Sequence, residues 1–159
     1  MDVEKAFDRV WIDGLLFKLI DIRMPAYIIK FISNYLRERS FQVHVSGHHS
    51  ETYALEFGLP QGAVLSPVLY TIFTYDQPQI TEPDTSVALF ADDTSIRSSS
   101  RFFKTIKRRL EKTTNKYLRY YKLWKIGANA AKFKALFITN RRSKQIPTQP
   151  LRCGVMTNG

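Results

Sequence analysis

A single cysteine, Cys153, stands in 159 residues, so no disulfide can form within the chain. That scarcity fits a reducing compartment. Long apolar runs are missing too. Charge interrupts every hydrophobic stretch within a few residues, which leaves no segment able to span a membrane. Met1-Asp2-Val3-Glu4-Lys5 is acidic and has no apolar h-region, so it does not read as a secretory signal. Internal repeats and low-complexity tracts are also absent. Acid is scarce in one part of the chain only. Residues 1–100 carry 8 Lys/Arg against 13 Asp/Glu, a balance of −5, and residues 101–159 carry 16 against one, Glu111, a balance of +15. A basic segment beside an acidic one suits a polyanion partner on one side and cation sites on the other. A solvated basic helix face with a loose basic tail gives the same split.

What is present describes a chain that folds. Hydrophobic residues make up 44% and aromatics 13%, and the length suits one domain with a real core. In residues 3–20, Val10, Leu15, Phe17, Leu19 and Ile20 recur at helical spacing. Pro25 is placed to start a second helix with Ile28, Ile29, Phe31, Ile32, Tyr35 and Leu36 as its stripe. Residues 41–45 alternate with period two and pair, through a turn at 46–50, with residues 52–57. Gly58-Leu59-Pro60-Gln61-Gly62 reads as a rigid loop. Ser66 as cap and Pro67 at the first helical position then open a helix through Phe73.

Residues 78–83 form a connector. After Ser98-Ser99-Ser100 a long basic helix carries Phe103, Ile106, Leu110, Tyr117, Tyr121 and Trp124 on one stripe. Residues 134–138 predict a last strand, and the basic segment beyond Asn140 is expected to be loosely ordered. This order of elements predicts an α+β domain with helices packed on an antiparallel sheet.

The chemistry centres on Val87-Ala88-Leu89-Phe90-Ala91-Asp92-Asp93-Thr94-Ser95-Ile96, which reads as a hairpin with two acids at its turn. Like charges held that close raise each other's pKa unless a cation lies between them. The pair is either a metal-holding site or a solvated turn. Asp2 opens a second acidic cluster far upstream in sequence. If the fold joins it to Asp92, three carboxylates converge, an arrangement suited to Mg²⁺. Two such ions serve phosphoryl transfer.

Asp2-Val3-Glu4-Lys5-Ala6-Phe7-Asp8-Arg9-Val10-Trp11 resembles the first palm motif of reverse transcriptases. Gly58-Leu59-Pro60-Gln61-Gly62-Ala63-Val64-Leu65-Ser66-Pro67 resembles the second, and Phe90-Ala91-Asp92-Asp93 the third. Trp124-Lys125-Ile126 with Asn129 and Lys132 resembles the fourth less closely. Three motifs in order with suitable gaps are a specific signal, and over about residues 1–140 the chain is similar to non-LTR, LINE-type retrotransposons of the jockey-like group.

The resemblance implies an RNA-directed DNA polymerase with the polymerase palm fold, a ferredoxin-like antiparallel sheet with helices packed on one face. Its partners would be an RNA template, a DNA primer and deoxynucleoside triphosphates, with no membrane. Its cofactor would be two Mg²⁺ (or Mn²⁺) ions. Asp2 and Asp92 would be metal ligands, with Asp93 adding charge or a weaker contact. Phe7 would lie under the incoming sugar, where its ring clashes with a 2′-OH; a core aromatic is the alternative. Gln61 would contact the nucleotide or templating base, or else stabilise its loop. Pro60 and Gly62 would stiffen the backbone and admit a close approach. Lys132 would stand near the leaving pyrophosphate as a general acid, or be a solvated lysine. This motif departs from the family pattern at Gly127-Ala128, where an apolar β-former is usual, and at Phe133.

In the family a strand leads into the position of Asp2, and here one residue precedes it. The fingers would lie upstream of Met1 and the thumb downstream of about Asn140, so both are expected to be largely absent. The expected layout is a partial palm over residues 1–140 and a tail over 141–159. Such a chain should have little or no activity alone, because positioning supplies much of the rate. The alternative is a catalytically dead remnant acting at most as a non-specific basic nucleic-acid-binding module.

Weaker candidates remain. His44, His48 and His49 could hold a metal, but no cysteine accompanies them. Tyr117, Tyr121 and Trp124 could stack on bases or be core. Cys153 receives no role. The expected location is intracellular with access to nuclear DNA, although Arg141-Arg142-Ser143-Lys144 is short for a nuclear signal.

Overall fold

The computed structural model describes Val3, residues 5–90, 93–129 and 132–139, and Leu151. The chain divides into two compact units. One comprises Lys5–Asp76 with Trp124–Ile126; the other comprises Gln77–Leu123 with Met1–Glu4 and Gly127–Gly159.

In the first unit, α1 spans Ile12–Asp21. The helix expected over residues 3–20 thus starts late. Residues 5–9 are turns, and Lys5 lies at φ +49°, which no helix accommodates. Ile12, Leu15 and Leu19 follow helical spacing and are buried, as is Val10 just before them. Phe17 and Ile20, expected at or near the buried face, fall off it and are each 61% exposed.

Helix α2 spans Ala26–Leu36, with Pro25 at the N-cap and Ile32 and Leu36 buried. Strands β1 (Arg39–Phe41), β2 (His44–Val45), β3 (His48–His49) and β4 (Tyr53–Leu55) follow. They form two antiparallel ladders, β1 with β4 and β2 with β3, in place of one continuous hairpin. Ser50 explains the break. Its amide donates to the Val43 carbonyl, but the Val43 amide donates to the Ser50 hydroxyl (both 2.9 Å), so a side chain replaces a ladder bond. Ser46 (φ +49°) and Gly47 (φ +81°) supply the paired positive angles of a tight I′-type turn.

Helix α3 spans Leu65–Phe73 with Val64 at the N-cap. Ser66 is therefore not the cap. It is buried, and its hydroxyl donates to the Pro60 carbonyl. Pro67 sits within the first turn, where its missing N–H leaves no helical bond unmade.

In the second unit, β5 (Thr85–Phe90) and β6 (Asp93–Ser98) pair antiparallel from Thr85↔Ser98 to Phe90↔Asp93. The expected hairpin is present, with a two-residue connection. Helix α4 spans Phe103–Leu123 and packs on β6. Val3 and Ala128 form an isolated antiparallel bridge. The last strand expected at residues 134–138 does not form: the segment is irregular, with Leu136 and Ile138 exposed and Phe137 set edge-on against Phe103 at 5.6 Å. Helices and small antiparallel sheets together make an α+β chain. No helix among the described residues is long and apolar enough to cross a membrane.

Candidate functional site

Within the first unit, the loop at 58–62 is stapled to the segment around Phe7. The Leu59 amide donates to the Phe7 carbonyl at 2.8 Å, and the Gly58 amide donates to the Val10 carbonyl at 2.9 Å. Gly58 lies at φ +85°, and a Cβ there would sit 2.6 Å from the Asp8 carbonyl oxygen. Only glycine permits this approach. Gly62 also needs its positive angle, φ +80°, but faces open space. Leu59 is buried and anchors the loop, and Pro60 is half-buried. The exposed Gln61 amide donates to the Asp8 carboxylate at 2.7 Å. A carboxylate only accepts, so the amide carbonyl is left turned away from it. Phe7 is half-buried, its ring 4.9 Å from that of Tyr70. Phe7, Pro60, Gln61 and Gly62 therefore belong to one local assembly.

The second unit holds Asp93 and Lys132. Asp93 opens β6, exposed, and its carboxylate has no ion-pair or hydrogen-bond partner among the described residues. Behind it, Thr94 is buried and its hydroxyl meets the Tyr121 hydroxyl at 2.8 Å. Burial pushes the Tyr121 phenol up, and the Thr94 bond opposes this. Asp2 and Asp92 lie outside the described residues, as does most of the tail. Their flanks are informative. Val3, which follows Asp2, is buried and bridges Ala128, so the departure from the family pattern at Ala128 still supports β pairing. Lys132 is exposed in a short turn, its amide donating to the Asn129 carbonyl at 3.1 Å.

Of the three carboxylates expected to hold metal, only that of Asp93 is among the described residues. Asp93 offers carboxylate oxygen that nothing among the described residues neutralises, the chemistry Mg²⁺ or Mn²⁺ takes. Among those residues no group of three His, Cys, Asp or Glu converges. His44 and His49 face each other across β2 and β3 with rings 4.6 Å apart, and His48 pairs with Val45 instead. The aromatic stripe of α4 is core: Tyr117 and Tyr121 are buried, so neither offers a face to a base.

Lys18 is not among the positions expected to be buried. It lies on α1, 1% exposed, and its ammonium is bonded to Asp76 and to the Phe73 carbonyl. It also sits 3.7 Å from the centroid of Trp124, a strong cation–π contact. Burial pushes this ammonium below the usual lysine range, against the pull of Asp76. Trp124 of the fourth motif is thus held by a cation in α1. The signal in the sequence is Lys18 at three residues from Leu15 and one from Leu19, on the buried side of the helix.

The reverse transcriptase (RNA-dependent DNA polymerase) family matches residues 1–150. The chain is 32% identical over 147 residues to the "RNA-directed DNA polymerase from mobile element jockey" of Drosophila melanogaster, covering 89% of this chain and 16% of that protein. Its counterpart in Drosophila funebris is 32% identical over 146 residues, covering 88% and 16%. The "Probable RNA-directed DNA polymerase from transposon X-element" of Drosophila melanogaster is 32% identical over 153 residues, covering 92% and 16%. The chain thus spans about one sixth of the length of these curated relatives.

Proposed function

The chain belongs to the reverse transcriptase family, and on that premise we propose that it carries the catalytic centre of an RNA-directed DNA polymerase from a non-LTR mobile element. The observation that carries this reading is the β5–β6 hairpin. Phe90 pairs with Asp93 across a two-residue connection, and the sequence of that connection is Ala91-Asp92. Antiparallel pairing there and at Val3–Ala128 is compatible with a ferredoxin-like palm sheet with helices on one face.

In this reading Asp2, Asp92 and Asp93 hold two divalent ions, Mg²⁺ or Mn²⁺. Bound there, such ions supply activation of a primer 3′-OH and charge stabilisation on a leaving pyrophosphate. The chain's own groups do the rest. Phe7, braced by Tyr70, presents a flat ring that excludes a ribose 2′-OH. Gln61, oriented by Asp8, offers its amide to the nucleotide or templating base. Pro60 and Gly62 keep the loop backbone low and fixed so that a substrate can approach. Lys132 delivers a proton toward pyrophosphate. The template is RNA, the primer DNA and the substrates deoxynucleoside triphosphates.

The test is single-nucleotide primer extension on an RNA homopolymer template with Mg²⁺ or Mn²⁺, wild type beside Asp92→Ala. Metal-dependent addition that disappears in the variant supports the reading. Folded wild-type protein that adds nothing but binds nucleic acid favours the second reading, a non-catalytic basic module. That reading draws on the concentration of positive charge after residue 100.

A further inference from the structure

Strands β2 and β3 hold two imidazoles side by side. His44 and His49 are direct cross-strand partners, and their ring centroids lie 4.6 Å apart. The hairpin fixes this rung from both ends. Ser46 (φ +49°) and Gly47 (φ +81°) close the turn beyond Val45 and His48. On the other side the Ser50 amide donates to the Val43 carbonyl at 2.9 Å. A rung between hydrogen-bonded rungs is where facing side chains approach most closely. Side chains alternate along a strand, so His48 points to the opposite face, beside Val45. His44 and His49 are both exposed, and among the described residues each imidazole contacts only the other. The two residues lie outside all four segments that resemble palm motifs.

We propose that His44 and His49 chelate one late first-row divalent ion, Cu²⁺ most tightly and Ni²⁺ or Zn²⁺ less so, and that the ion clips β2 to β3. Imidazole nitrogen suits these ions, and affinity for such sites peaks at Cu²⁺. A nitrogen binds at about 2.0–2.1 Å, so two nitrogens sharing one ion lie at most about 4.2 Å apart. Rings whose centroids are 4.6 Å apart reach that span by side-chain rotation, with no strand moved. Among the described residues no third His, Cys, Asp or Glu joins the pair, so water completes the coordination. A closed structural zinc site, which takes four protein ligands, is therefore a poor fit. Mg²⁺ fits poorly as well, because it is a hard ion that takes oxygen. The ion thus differs in chemistry from those assigned to the carboxylates, and the proposal does not depend on polymerisation. The clip has a structural use. Every residue of this two-stranded ladder is exposed, and such a ladder has little core to hold it closed.

The test is a calorimetric titration of the untagged full chain with Ni²⁺, and pulsed electron paramagnetic resonance of the same protein loaded with one equivalent of Cu²⁺. All proteins carry Cys153→Ser, which removes the thiol as a competing ligand. Excess Mg²⁺ fills oxygen sites throughout, so failure of the polymerase reading leaves this titration untouched. One Ni²⁺ per chain is expected. His44→Gln and His49→Gln should each weaken binding at least about tenfold, since each breaks a two-point attachment. His48→Gln removes a histidine from the other face of the same hairpin and should leave affinity unchanged. All three positions are exposed, so circular dichroism should match the parent. The Cu²⁺ spectrum should show two bound imidazoles, a readout that needs no variant. Amide hydrogen exchange within residues 43–50 should slow on loading with Ni²⁺. A single imidazole in the Cu²⁺ spectrum overturns the proposal. So does equal weakening in His48→Gln, undiminished binding in His44→Gln and His49→Gln, or hairpin exchange that loading leaves unchanged.

Discussion

Gln61 and Asp8 stand 53 positions apart in sequence, and the amide of one donates to the carboxylate of the other at 2.7 Å. This bond ties the segment resembling the first palm motif to the loop resembling the second. Both side chains are exposed, so the bond orients more than it stabilises. A double-mutant cycle with Gln61→Ala and Asp8→Ala should give a stability coupling under about 1 kcal/mol. Steady-state kinetics of nucleotide addition should show both single variants raising KM for the nucleotide. A large stability coupling with unchanged KM would make the bond purely structural.

Gly58 and Gly62 separate two costs. At both, the positive φ disfavours a side chain, but only at Gly58 would a Cβ meet backbone, 2.6 Å from the Asp8 oxygen. Gly62→Ala should cost about 1 kcal/mol and Gly58→Ala at least about 2 kcal/mol. Urea unfolding of the two variants measures the difference. Equal costs would mean that the loop does not lie against Asp8.

Lys18 is buried while its partner Asp76 is exposed, so losing the carboxylate should cost more than losing the ammonium. Asp76→Ala leaves a buried ammonium without its carboxylate and should cost up to about 3–5 kcal/mol, whereas Lys18→Met leaves only an exposed carboxylate and should cost less. The pH dependence has a definite sign. Burial lowers the folded pKa of Lys18 below its ordinary 10.5. Between that lowered value and 10.5 the unfolded chain binds more protons, so this contribution is fully present above 10.5 and is lost as pH falls through the folded pKa. Wild type should therefore gain on Lys18→Met as pH is raised toward 10.5 in denaturant titrations. Tyr75, pushed up to about 12 by its bond to Asp21, is present in both proteins and cancels. Wild type losing ground to Lys18→Met as pH rises would contradict the burial.

Thr94 sits directly after Asp93, and its bond to Tyr121 fixes β6 on α4. Thr94→Val leaves a buried phenol without a partner and should cost about 1–3 kcal/mol. Adding Tyr121→Phe should recover part of that loss. Chemical denaturation of the two single variants and the double variant reads it, and strict additivity would show that the hydroxyls do not act together.

Short-range signals carried the legible part of this chain. The β5–β6 hairpin follows from apolar β-formers on both sides of an acidic turn, and the long helix α4 from a sustained seven-residue stripe. The loop at 58–62 follows from Gly and Pro spacing. Long-range competition decided the rest. Ser66 has the chemistry of a cap, but the Pro60 carbonyl takes its hydroxyl and the helix starts at Leu65. Ser50 breaks the first hairpin because its hydroxyl takes the Val43 amide. Residues 134–138 look like a strand but find no partner strand among the described residues. Lys18 is charged and therefore reads as exposed, yet Asp76, a carbonyl and Trp124 together make its burial tolerable. Of the candidate site, the loop cluster around Phe7 and the exposed Asp93 at the head of β6 are seen in the structure; Asp2 and Asp92 rest on sequence resemblance.

The central claim is that Asp2, Asp92 and Asp93 act together on divalent metal. Electron paramagnetic resonance titration with Mn²⁺ tests it without requiring turnover. Wild-type protein should remove free Mn²⁺ signal and release it to excess Mg²⁺. Asp92→Ala should weaken binding at least tenfold, and Asp2→Ala and Asp93→Asn should each weaken it, with all three variants folded by circular dichroism. Mn²⁺ binding that is the same in wild type and Asp92→Ala would contradict the account.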